Sequence, residues 1–97
     1  MEEKIQIIRD YLKKQFPSAD HADQNDFDRM GHKFRITTND HVMLTSVSRE
    51  FIEDNNSKVI ITILDRINLR NLLNDNPKST IIVTSSGTRI ETRNCIF

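Results

Sequence analysis

Ninety-seven residues set the scale of one small domain: such a chain buries only about 60 to 65% of its unfolded surface and has little volume for an enclosed active-site cavity. Fourteen Lys and Arg against fourteen Asp and Glu exclude a net field that draws the whole molecule to nucleic acid or to an anionic membrane. The balance is uneven, with seven acids against four bases through Asp28 and ten bases against seven acids after it.

Cys95 is the sole cysteine. It excludes an intramolecular disulfide and a cysteine-based zinc site, so a reducing, cytoplasmic setting is expected. The opening Met1-Glu2-Glu3 lacks the basic and apolar blocks of a signal peptide. The longest apolar stretch, Val59 to Leu64, is interrupted by Thr62 and falls far short of the ~20 residues of a membrane span.

In chain order, Ile5, Ile8, Leu12 and Phe16 recur at helical spacing among charged residues, and Pro17 stops the helix. Ile7 and Tyr11 flank that stripe. Residues 17–31 are acidic and polar and read as a loop. After Gly31 the pattern alternates, with Phe34 and Ile36 on one side and Lys33, Arg35 and Thr37 on the other, then Asn39-Asp40, then His41 to Val47. A two-residue turn at Asn39-Asp40 sets the register, with Ile36 facing Met43 and Phe34 facing Thr45 on the core side. Arg35 then faces Leu44, and Thr37 faces Val42, on the opposite side.

Ser48 reads as the N-cap of a short helical turn. Ser57 reads as the cap of a helix that brings Ile60, Ile63, Leu64 and Ile67 inward, although β-branching in Val59, Ile60, Ile61 and Ile63 also suits a strand. Leu69, Leu72 and Leu73 continue the helical spacing, and Asn74-Asp75-Asn76-Pro77 closes it. Thr80 to Thr84, a Ser85-Ser86-Gly87 turn and Thr88 to Arg93 then form a second hairpin.

The resulting expectation is one α+β domain over residues 1–97 of order α-β-β-α-α-β-β. Its four-stranded antiparallel sheet, made of two hairpins, carries the N-terminal helix and a helical pair on one face. Phe34, Ile36, Met43, Val47, Ile81, Val83 and Ile90 point to the helices. The other face carries Arg35, Val42, Leu44, Ile82, Arg89, Glu91 and Arg93, and it is the candidate interaction surface, since aliphatic side chains clustered on an open sheet meet a partner.

Other chemistries are weaker. The basic residues of that face suit a phosphate backbone, but no aromatic ring accompanies them for base stacking. A helix-turn-helix over residues 57–74 lacks the usual Gly and a long second helix. His21, His32 and His41 show no ligand spacing, and a calcium loop from Asp26 would place Met30 and Thr37 at ligand positions. No nucleophile elbow or Gly-rich phosphate loop occurs, so neither an enzyme nor a cofactor or metal is expected. The preferred reading is a cytoplasmic interaction or accessory module that binds a protein partner or a second copy through the open sheet face or a hairpin edge. Nucleic-acid binding through the same arginines is the alternative, and a small enzyme the second alternative.

Overall fold

The structure is a computed structural model and describes residues 2–39 and 41–92. The chain runs α1 (Glu2–Gln15), β1 (Asp20–Asp26), β2 (Gly31–Thr37), β3 (Val42–Ser48), α2 (Arg49–Asp54), α3 (Ser57–Arg66), α4 (Leu69–Asp75), β4 (Ser79–Thr84) and β5 (Gly87–Thr92). The α+β class matches the sequence reading, but the sheet has five strands in spatial order β1-β2-β3-β4-β5. It is mixed, because β3 and β4 pair in parallel while the other neighbours are antiparallel.

Five strands replace the expected four, and three helices, α2, α3 and α4, stand where a helical pair was expected. Segment 17–31 holds β1 where an acidic loop was expected, and the two hairpins meet through a parallel pair instead of an antiparallel one. The physical reason for the parallel pair is the connection: α2, α3 and α4 fill the link between β3 and β4, and a helical crossover returns the chain parallel to where it left.

The core explains the helices. Ile5, Ile8, Tyr11 and Leu12 of α1, Phe51 and Ile52 of α2, Ile60 and Leu64 of α3, and Leu69 and Leu73 of α4 are buried with Phe34, Ile36, Met43, Val47, Ile81 and Val83 of the sheet. All four helices therefore lie on one side. Three polar ties fasten α1: Lys4 Nζ donates to the Ile52 carbonyl at 3.0 Å, the Tyr11 hydroxyl to Asp65 Oδ1 at 2.9 Å, and the Arg9 guanidinium to Asp23.

Caps delimit the middle helices. Ser48 Oγ accepts from the Phe51 amide at 3.1 Å, as its position suggested. For α3 the cap is Asn56, one residue before the expected Ser57, with Oδ1 accepting from the Val59 amide at 2.9 Å. Asn68, at φ 57, breaks the helical region between α3 and α4, a conformation that Asn tolerates better than most residues.

The β2–β3 register is the one that alternation gave: Phe34↔Thr45, Arg35↔Leu44, Ile36↔Met43 and Thr37↔Val42. The Thr38 amide donates to the His41 carbonyl at 3.0 Å, which leaves positions 39 and 40 between them; Asp40 lies outside the described residues. Gly31 pairs with Ser48, and a Cβ there would stand 2.4 Å from the Val47 carbonyl oxygen, so no other residue fits that approach.

Candidate functional site

Strand alternation places Arg35 of β2, Val42 and Leu44 of β3, Ile82 of β4, and Arg89 and Glu91 of β5 on one side, opposite the helices. Arg93 lies outside the described residues. Ile90, expected against the helices, is 50% exposed. Its strand is the last of the sheet, and the helices pack chiefly on β2, β3 and β4.

Ile82 is the telling member of this face. Only 3% exposed, it belongs to no part of the helix-side core. Thr80 and Ser46 on the same face are also buried. The surface is thus less open than alternation alone implies, since the β1–β2 turn, residues 27–30, brings Arg29 over this side.

A chain of polar contacts carries that turn across the sheet. Asp26 Oδ2 accepts from Ser46 Oγ at 2.9 Å and from Arg29 Nη1 at 3.3 Å, while Oδ1 accepts from the Arg29 amide at 3.3 Å. Arg29 Nη2 reaches Glu91 Oε1 at 3.0 Å, and Arg89 Nη2 donates to Glu91 Oε2 at 3.1 Å. Arg29, Ser46, Ile82, Arg89 and Glu91, with Asp28, Ser48 and Thr84, line one shallow cleft. Arg29 Nε is buried there and makes no hydrogen bond among the described residues.

Burial alone would raise the Asp26 carboxyl, but the Ser46 hydroxyl and the Arg29 amide and guanidinium outweigh it and hold the pKa below the usual carboxylate value. Arg29 is likewise opposed by burial and carried above its ordinary value by Glu91 and Asp26. Both groups stay charged at neutral pH. Arg35, by contrast, is exposed and has no carboxylate partner among the described residues.

The sequence reading placed Arg89, Glu91 and Ile82 on this face but not Asp26, Arg29 or Ser46. Asp26 and Arg29 fell in the segment read as loop. An available signal was Asp26 three residues before Arg29 and five before Gly31, the pattern of a turn whose first residue accepts a backbone amide.

A second charged cluster sits on the helix side. Arg9 Nε and Nη2 donate to Asp23 Oδ1 and Oδ2 at 2.8 and 2.7 Å, and His32 Nε2 lies 2.6 Å from Asp23 Oδ2. Arg9 first, then His32, hold the Asp23 carboxyl at about 2 against the opposing effect of burial. This cluster binds α1 to the first two strands. Among the described residues no group of three or more His, Cys, Asp or Glu converges as metal ligands, and no helix is long and apolar enough to cross a membrane.

Against protein-family models, curated proteins and solved structures, the chain shows no significant similarity.

Proposed function

We propose that the chain is a protein-interaction module that receives a partner segment on the sheet face away from the helices. The observation that carries this reading is Ile82, an aliphatic side chain kept off the core at the floor of a cleft edged by Arg29, Arg89 and Glu91. Leu44 and the 37% exposed Val42 extend the apolar surface along β3. Contiguous aliphatic surface rimmed by polar and charged groups is the usual make-up of a contact surface.

Arg35 stands exposed beside that strip, while Arg29 is neutralised within the chain. A partner offering an aliphatic side chain next to a carboxylate fits this distribution. Nucleic acid fits less well, because two of the three described arginines on this side already hold carboxylates and no described strand residue of the face is aromatic.

The test is affinity capture with the wild type, Leu44→Asp, Arg35→Glu and, as a control on the helix side, Lys58→Glu. A protein held by wild type and Lys58→Glu but lost from both face variants is the expected result. Captured proteins indifferent to Leu44→Asp and Arg35→Glu would remove the reading. Salt-sensitive RNA or DNA binding that weakens in Arg35→Ala would transfer it to nucleic acid.

A further inference from the structure

The two edges of the sheet are built differently. β1, at one edge, reads Asp20-His21-Ala22-Asp23-Gln24-Asn25-Asp26, three acids and no base. Asp23 and Asp26 are held by Arg9 and Arg29, while Asp20 stays exposed and supplies the kind of edge charge by which strands are commonly kept from pairing. β5, at the other edge, has no Lys or Pro, keeps an unbroken register with β4, and is exposed at Gly87, Thr88, Arg89, Ile90 and Thr92. No strand lies beyond it among the described residues.

The segment Thr88-Arg89-Ile90-Glu91-Thr92 is self-complementary when turned end for end. With a two-fold axis at Ile90, Ile90 meets its own copy, Arg89 meets Glu91, and Thr88 meets Thr92. These apolar, opposite-charge and Thr–Thr pairs are the classes that stabilise antiparallel neighbours.

The backbone phase agrees. The turn Ser85-Ser86 leaves Thr84 paired with Gly87, and a two-residue turn closes on a hydrogen-bonded pair. Alternation from Gly87 directs Arg89 and Glu91 to hydrogen-bond with β4 and turns the N–H and C=O groups of Thr88, Ile90 and Thr92 outward. An axis at Ile90 therefore joins outward-directed backbone groups to each other. It also brings Arg89 and Glu91 of the two copies to the closely spaced positions between those bonds.

We propose that this protein forms a two-fold dimer through antiparallel pairing of β5 with β5 of a second copy, centred on Ile90. The five strands of each copy then run into one continuous sheet. Pairing covers the exposed Ile90 on the helix side and sets Arg89 and Glu91 of both copies in a ring of alternating charges on the cleft side. This contact lies at an edge; it shares Arg89 and Glu91 with the rim of the cleft but uses none of Arg35, Val42 and Leu44, so Leu44→Asp separates the two readings.

Sedimentation equilibrium tests it, with circular dichroism confirming that each variant is folded. The wild type dimerises, and Arg89→Glu and Glu91→Arg separately raise the dissociation constant ~10-fold or more by opposing like charges twice per dimer. An equimolar mixture of those two variants recovers association, because the introduced acid then faces the introduced base across the axis. Ile90→Pro removes an outward N–H without touching the bonds to β4, and it too yields monomers. Leu44→Asp leaves the dimer intact. A wild type that stays monomeric at millimolar concentration overturns the proposal. So does a dimer unaffected by both reversals and by Ile90→Pro, or one abolished by Leu44→Asp while both reversals retain it.

Discussion

Asp23 shows how a single side chain can decide the fate of a segment. Its carboxylate accepts both arms of the Arg9 fork and lies within hydrogen-bond distance of His32, and charge-assisted pairs of this geometry are the stronger kind. Because its folded pKa of about 2 lies below the usual 3.8, Asp23 contributes stability that is complete above the unfolded value. That contribution fades as pH falls through the folded one. The amount is on the order of 2 kcal/mol. Urea titrations at stepped pH should show wild-type stability dropping between pH ~4 and ~2. Asp23→Asn should be weaker at neutral pH by a similar amount and show a shallower drop. Met30 is the opposite kind of residue: it holds φ 50 in the β1–β2 turn, where a side chain is disfavoured. Its carbonyl accepts from the Arg49 amide at 2.9 Å, which ties the turn to the start of α2.

Among the elements, helices and strands differ in how far local sequence specifies them. The short helices α2 and α3 rely on caps: Ser48 is the one its position suggested, while α3 is capped by Asn56, one residue ahead of the expected Ser57. Ser48→Ala and Asn56→Ala should each lower stability by about 1 kcal/mol in chemical denaturation, with unchanged steepness. β2, β3 and β4 turn Phe34 and Ile36, Met43 and Val47, and Ile81 and Val83 toward the helices, because one face of each meets them. β1 carries no such trace. Its helix-side contacts are polar, the Asp23 ion pair and His21 Nε2 at 2.9 Å from the Phe16 carbonyl, so its sequence looks like a polar loop although its pairing with β2 is regular over seven residues. The Val59–Leu64 run shows the converse. Its β-branched residues suit a strand, yet burial of Ile60 and Leu64 on one helical face overrides that preference.

At the scale of the molecule, one apolar cluster passes through all four helices and β2, β3 and β4, so no part has a core of its own. Tyr11 is the only tyrosine, tryptophan is absent, and the Tyr11 hydroxyl bonds Asp65 across α1 and α3. Burial first, then Asp65, raises its pKa well above that of free tyrosine. Tyrosine fluorescence should therefore report the packing of α1 on α3, while far-ultraviolet circular dichroism reports the backbone. The two unfolding curves should superimpose with a common midpoint, and separate midpoints would reveal α1 detaching by itself.

Whereas residues 57–66 were compatible with helix or strand until packing decided them, the chain's own letters were enough for the inside and outside of β2, β3 and β4, the register of the β2–β3 pair and the Ser48 cap. Each of these depends on neighbours a few positions apart, whose spacing is written in the sequence. The candidate face was legible to the same extent, with Arg35, Val42, Leu44, Ile82, Arg89 and Glu91 on one side. Tertiary structure alone decided that β1 is a strand, that β3 and β4 run parallel, and that Arg29 crosses to Glu91, 62 positions away. Those outcomes depend on pairs of polar groups and strand edges distant along the chain, and a contact between two distant residues leaves no periodicity at either one.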